Sequence, residues 1–312
     1  MMLLLITHKG AVFMTFGDWA ADWLDTALDD RADKTREQYC DITSRYLLPA
    51  LGARDMDLIT TRDIRAIIAQ CRGEGKGRTS QLIRVVARLL WADAIEEGVC
   101  QGNPTLPIRK PRHRTSSPEA LLEAQVAALV AAGQDSPYWI AYALMLRAGL
   151  RRGEAIALRW QDVRDGRLYI CRQAVLVGGE LRIGPPKTQS GTRMVPISDS
   201  LAREIAAARW AARCRRTLHP QRTVAQGPDG GLLRPTTLRK TLDAICRAAG
   251  LPHCTMHQLR HTFATLAIQR GLALPSLQYI LGHSTPAVTL GVYSHAQLAY
   301  TMADWERHCG AL

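Results

Sequence analysis

Several things are missing from this 312-residue sequence, and each absence excludes a class of protein. The start, Met1-Met2-Leu3-Leu4-Leu5-Ile6, stops after five further apolar residues, too few to span a bilayer. No basic stretch or cleavage site accompanies it, so a secretory leader is not expected. None of the eight cysteines (40, 71, 100, 171, 214, 246, 254 and 309) forms a CxxC pair. A chain of this length needs no disulfide staples, so free thiols in a reducing cytoplasm are expected. His253-Cys254-Thr255-Met256-His257 has no second ligand pair nearby, so no zinc is expected. There is no internal repeat and no low-complexity tract, which removes solenoids.

What is present is apolar material for packed cores (47% hydrophobic) and enough length for two domains. The formal net charge is +12, which favours an anionic polymer as partner. Residues 1–114 hold 17 Lys/Arg against 15 Asp/Glu, and the remainder holds 23 against 13. The positive excess therefore lies in the second part of the chain. By itself it fits a solvated basic surface as well as a nucleic-acid interface.

Residues 1–14 read as an N-terminal arm. A helical domain over 15–103 follows. Thr15-Phe16-Gly17-Asp18 is a capping-box-like start with Asp in place of Glu. Phe16, Trp19, Ala20, Trp23, Leu24, Ala27 and Leu28 then recur at helical spacing. A second helix is expected from about Lys34 to Leu48, stopping near Pro49. Thr60 to Asp63 caps a third, with Ile64, Ile67, Ile68 and Cys71 inward. A fourth carries Leu82, Val85, Val86, Leu89, Leu90, Ala94 and Ile95 inward and ends at Gly98. Residues 104–117 hold Pro104, Pro107 and Pro111 with Arg109, Lys110, Arg112 and Arg114, which predicts an extended basic linker.

The second domain, 118–312, is expected to be mainly helical around a small antiparallel sheet. Helices are placed at about 119–132, 137–149, 199–215, 236–249, 257–270 and 275–281. Strands are placed at 168–171, 180–183 and 194–197.

The chemistry-bearing residues fall in this part. Gly149-Leu150-Arg151-Arg152-Gly153-Glu154 comes first; His257-Gln258-Leu259-Arg260, Leu281-Gly282-His283 and Tyr293 follow in order, and there is no carboxylate cluster for a metal. Attack on a phosphodiester adds negative charge to its non-bridging oxygens. Arginine can neutralise that charge in place of a metal, because its planar fork donates two parallel hydrogen bonds and stays charged. Arg151 and Arg260 are the candidates. Gly149 and Gly153 flank Arg151 and would let its backbone approach a phosphate. His257 lies one helical turn before Arg260, so both face one side. His257 and His283 would hydrogen-bond the phosphate, and His257 would serve as base. Tyr293, in Gly291-Val292-Tyr293-Ser294-His295, is the candidate nucleophile, with Tyr300 the fallback. His261 points away from Arg260 and reads as structural.

This order of motifs resembles the tyrosine recombinases, the phage-integrase family, strongly after residue 118 and weakly before it. The resemblance implies an α+β catalytic domain preceded by a four-helix, SAM-like core-binding domain, with no cofactor and no metal. It implies a site-specific recombinase that cuts and rejoins double-stranded DNA through a 3′-phosphotyrosyl bond on Tyr293. Pro185-Pro186-Lys187-Thr188 and the segment to Pro196 are similar to the family's β-hairpin, whose lysine protonates the leaving 5′-oxygen, here Lys187. Glu154 would orient the pocket's arginine and histidine. Arg193 reads as a phosphate or structural residue, since its pKa is too high for an acid. The family further implies a homotetramer on core recombination sites, integration or excision of a phage or other mobile element, and accessory DNA-bending or directionality factors. Two alternatives stay open: a catalytically silent DNA-binding regulatory relative, and a topoisomerase that nicks and reseals alone.

Overall fold

The computed structural model describes residues 14–26, 31–110 and 119–282. The chain divides into two units, residues 1–116 and 117–312.

The first unit is helical: α1 (Phe16–Thr26), α2 (Asp33–Ile42), α3 (Leu48–Leu51), α4 (Thr61–Gly73) and α5 (Gly77–Glu96). Thr15 and Asp18 cap α1 reciprocally: the Thr15 hydroxyl donates to the Asp18 carboxylate at 2.6 Å and accepts the Asp18 N–H at 3.1 Å. Phe16, Trp19, Ala20 and Trp23 then face the core at the expected spacing. The second helix does not stop near Pro49. It widens into a π turn at Thr43–Leu47 and continues as α3 to Leu51, with Pro49 directly after the π turn.

The apolar stripe of α5 is rotated from the expected one. Ile83, Val86, Ala87, Leu90, Trp91 and Ala94 are buried, whereas Val85 and Ile95 are exposed. The pairs Val85-Val86 and Leu89-Leu90 leave the phase of the stripe open, and Trp91 decides it. Its ring stacks on Phe16 with centroids 5.2 Å apart. Trp19 donates its indole N–H to the Leu90 carbonyl and Trp23 to the Asp93 carboxylate, which ties α1 to α5.

The proline-rich connector is not extended from residue 104. Thr105 and Ile108 are buried in the first unit. The Thr61 hydroxyl donates to the Pro104 carbonyl, and Arg84 Nε donates to the Ile108 carbonyl at 2.6 Å. The connector's free carbonyls are thus taken up by two helices, those of Pro104 and Pro107 by Thr61 and Arg65 of α4 and that of Ile108 by Arg84 of α5.

The second unit contains α6 (Glu123–Gly133), α7 (Trp139–Ala148), α8 (Arg152–Ala157), α9 (Asp199–Cys214), α10 (Pro235–Ala248), α11 (Met256–Gln269) and α12 (Leu274–Leu281). Its strands are β1 (Val163–Arg164), β2 (Arg167–Ile170), β3 (Gln173–Val177), β4 (Glu180–Gly184) and β5 (Arg193–Pro196). Every residue of α7 except Arg147 is buried, so α7 is the central helix, packed by α8, α9 and α11.

The fold is mainly helical with small antiparallel sheets, but among the described residues there are two sheets where one was expected. One has the order β1-β2-β5; the other is the hairpin β3-β4. The β3-β4 turn, Gly178-Gly179, has φ of 56° and 80° at its two central residues, a conformation glycine adopts without strain.

Candidate active site

Helix α7 ends at Gly149, whose φ of 64° places it in the left-handed region. A Cβ there would lie 2.5 Å from the Phe263 ring, so glycine lets α7 end directly against α11. Two residues later Arg151 opens α8. Its backbone N–H donates to Glu154 Oε2 at 2.7 Å, the reach-back of a capping box.

A Cβ on Gly153 would lie 2.7 Å from the Ala174 carbonyl oxygen, so its bareness lets α8 pack against β3.

Glu154 is 2% exposed and is the hub of the site. Arg193 forks it, Nη1 donating to Oε1 at 3.0 Å and Nη2 to Oε2 at 2.9 Å. Arg151 Nη1 donates to Oε1 at 2.8 Å, and Arg260 Nη1 stands 3.9 Å from Oε2. Burial pushes the Glu154 carboxyl up, but the Arg193 fork and the Arg151 N–H and charge outweigh it and hold its pKa below the usual value. The carboxylate is therefore ionised at neutral pH.

The same three guanidiniums also hold the end of α12. Arg193 Nε donates to the Ile280 carbonyl, Arg260 Nη2 to the Leu281 carbonyl at 2.7 Å, and Arg151 Nη2 to the Gly282 carbonyl at 2.7 Å. The terminal carbonyls of a helix lack intrahelical partners and carry its negative dipole end. Three cations on three successive carbonyls satisfy both. Arg260 is further tied to α7 through Nη1 and the Gly149 carbonyl at 2.5 Å.

Arg260 is 5% exposed, and desolvation together with its cationic neighbours lowers its pKa to about 9. It still carries its charge at neutral pH. Three cations against one carboxylate leave a positive excess, and the Arg151 side chain remains 38% exposed to meet an anion.

His257 lies one turn before Arg260 and is exposed. The surrounding chain still strips enough water from it to lower its pKa, and the charges of Arg260, His261 and Arg151 push the same way. Its ring is therefore neutral at pH 7 and able to accept a proton. His261 makes a 3.1 Å hydrogen bond with the Thr265 hydroxyl within α11.

Lys187 does not sit in a hairpin between paired strands, because β4 and β5 belong to different sheets. It is exposed in the connection between them and makes no hydrogen bond or ion pair with a described residue. That connection is nevertheless anchored. The Gly191 carbonyl accepts from Arg193 Nη1 at 3.0 Å, and a Cβ on Gly282 would lie 2.8 Å from the Ser190 carbonyl oxygen. Thus Arg151, Glu154 and Arg260 converge, and the Lys187 loop abuts them. His283, Tyr293 and Tyr300 lie outside the described residues.

The residue whose place the sequence reading left undecided is Arg193, which is buried at the heart of the site. The signal was the alternation of β5: Arg193 and Val195 point inward while Met194 and Pro196 point outward.

Comparison with known proteins identifies the family. The model of the phage integrase family matches residues 119–299, and that of the phage integrase central domain matches 16–111. The tyrosine recombinase XerC of Methylobacterium sp. (strain 4-46) is 34% identical over 258 residues, covering 78% of this chain and 76% of its own. The integrase of Mycobacterium phage L5 is 28% identical, covering 89% and 74%. The Tn1549 transposon integrase in complex with transposon right end DNA superposes with a TM-score of 0.79 at 21% identity, covering 95% and 99%. The lambda integrase tetramer bound to a Holliday junction gives 0.70 at 21%, covering 92% and 81%. The chain belongs to the phage integrase family. It is a tyrosine-type site-specific recombinase, of the class that cleaves and rejoins DNA.

Proposed function

We propose that the chain binds double-stranded DNA at core recombination sites and exchanges strands there through Tyr293, integrating or excising a phage or other mobile element. The observation that carries this reading is the docking of Arg151 and Arg260 on one carboxylate and one helix end, which preorganises positive charge where a phosphate gains negative charge. The phenol oxygen of Tyr293 attacks the phosphorus while His257 takes its proton. The P–O5′ bond breaks, and Lys187 gives its proton to the leaving 5′-oxygen. The 3′-phosphotyrosyl bond conserves the energy of the cut diester. A second strand's 5′-hydroxyl then reverses the steps, so no nucleotide cofactor is needed. Arg151, Arg260 and His283 hold the non-bridging oxygens, and Glu154 fixes the arginines. Four protomers assemble on two sites, with DNA-bending or directionality factors as further partners.

The test is a plasmid carrying two copies of the element's joined ends. Recombined product supports the reading. Relaxation of a plasmid lacking any such site would favour the lone topoisomerase, and tight binding without either reaction would favour a silent regulatory relative.

A further inference from the structure

We propose that Arg193 is a positioning residue for strand cleavage, a strap that sets Arg151, the Lys187 loop and the turn leading to His283 in register. The inference rests on the proposed reaction. Arg193 is 4% exposed, and each of its three guanidinium nitrogens is engaged within the protein. Its donors are spent on three different parts of the site. Nη1 and Nη2 fork Glu154, the carboxylate that holds Arg151. Nη1 also reaches the Gly191 carbonyl, at the end of the loop that begins with Lys187. Nε reaches the Ile280 carbonyl, three residues before His283. Gly282 packs on the same side chain: a Cβ there would lie 3.1 Å from Nη1 and 3.2 Å from Cδ.

No neutral side chain can replace this. Lysine carries the charge on a single atom and cannot fork a carboxylate while donating to two carbonyls on opposite sides. Without Arg193, burial leaves Glu154 with less opposing charge, and its carboxyl would take up a proton at a higher pH than in the intact site. Protonated Glu154 holds Arg151 more weakly. An Arg193→Met variant would therefore cleave faster as pH rises, over a range in which the intact enzyme's Glu154 is fully ionised.

The experiment measures single-turnover formation of the covalent protein–DNA complex on a nicked substrate between pH 5 and pH 9, alongside DNA binding by gel shift. The wild type and the variants Arg193→Met, Arg193→Lys and Glu154→Gln/Arg193→Met are compared. Misplacement by about an ångström costs on the order of 10²-fold in rate. We expect that loss in Arg193→Met, with DNA binding in the gel shift retained, because only orientation is altered. Its rate should climb with pH relative to wild type. The double variant should lose that climb, because the titrating group is gone. Arg193→Lys should be slow without it. Wild-type rates in either single variant would overturn the inference. So would an unchanged pH profile in Arg193→Met, or loss of DNA binding and folding by both single variants, which would make Arg193 a stabilising residue only. If the wild type itself forms no covalent complex, the proposed reaction fails instead, which separates the two.

Discussion

Replacing Gly149 with alanine should damage both the stability and the chemistry of the second unit, for reasons that can be worked out separately. Gly149 sits at φ 64°, and a left-handed alanine costs about 1–2 kcal/mol. Its Cβ would also lie 2.5 and 2.7 Å from two Phe263 ring carbons and 2.9 Å from Leu281 Cδ2. Overpacking of that kind costs typically about 1–3 kcal/mol. A total near 3 kcal/mol lowers the unfolding temperature of a unit this size by roughly 6–12 °C. The Gly149 carbonyl accepts from Arg260, so the displaced backbone should also slow cleavage by about tenfold or more. Gly166→Ala is the control. Its φ is 66°, but nothing lies within 4 Å of its Cβ, so only the conformational cost of about 1–2 kcal/mol applies, without loss of cleavage. Scanning calorimetry on the full chain and single-turnover cleavage read the two effects. If Gly149→Ala unfolds no earlier than Gly166→Ala and cleaves as fast, the close approach of α7 to α11 is not what holds Arg260.

Other consequences can be measured independently. Lys187→Ala should leave the unfolding temperature unchanged and slow cleavage by about 10²-fold or more; sulfur in place of the 5′-bridging oxygen should restore the rate, because a thiolate leaves without a proton. The acid limb of the wild-type pH–rate profile should have its midpoint below 6.5, since His257 must be neutral to accept a proton and its pKa is lowered; a midpoint above that would assign the base elsewhere. Asp63 caps α4, taking the Thr60 N–H at 2.8 Å and Arg54 at 2.7 Å, and Arg54 first, then Thr60, hold its carboxyl well below the usual range. Because the folded-state value is the lower one, its contribution is present above pH 3.8 and fades as pH falls further. Asp63→Asn should therefore cost about 1 kcal/mol in urea unfolding at pH 7, and the difference should shrink at pH 2.

Local chemistry made much of the molecule legible from the chain alone. Thr15–Asp18 and Thr60–Asp63 are short-range caps, and their helices start where those residues put them. The face of α1 follows from spacing, because Phe16, Trp19 and Trp23 admit one phase. The face of α5 does not, because adjacent apolar pairs admit two, and only the tertiary stacking of Trp91 on Phe16 separates them. The strand β3 was missed although Gly178-Gly179 marks a two-residue hairpin turn between it and β4. In the site, the types and order of Arg151, His257 and Arg260 could be read as candidates. That Arg193 shares Glu154 with Arg151 could not, because the pairing joins positions 39 residues apart and depends on the pleat of β5. The close packing of Gly153 on Ala174 was not legible either, because β3 had not been placed.

The most direct measurement is a denaturing protein gel of the enzyme mixed with nicked element-end DNA in EDTA. A shifted band should form with the wild type and be absent with Tyr293→Phe, while both proteins retain DNA binding in a native gel. A shift that survives in Tyr293→Phe, or one that appears only when a divalent metal is restored, would contradict cleavage by Tyr293 under arginine electrostatics.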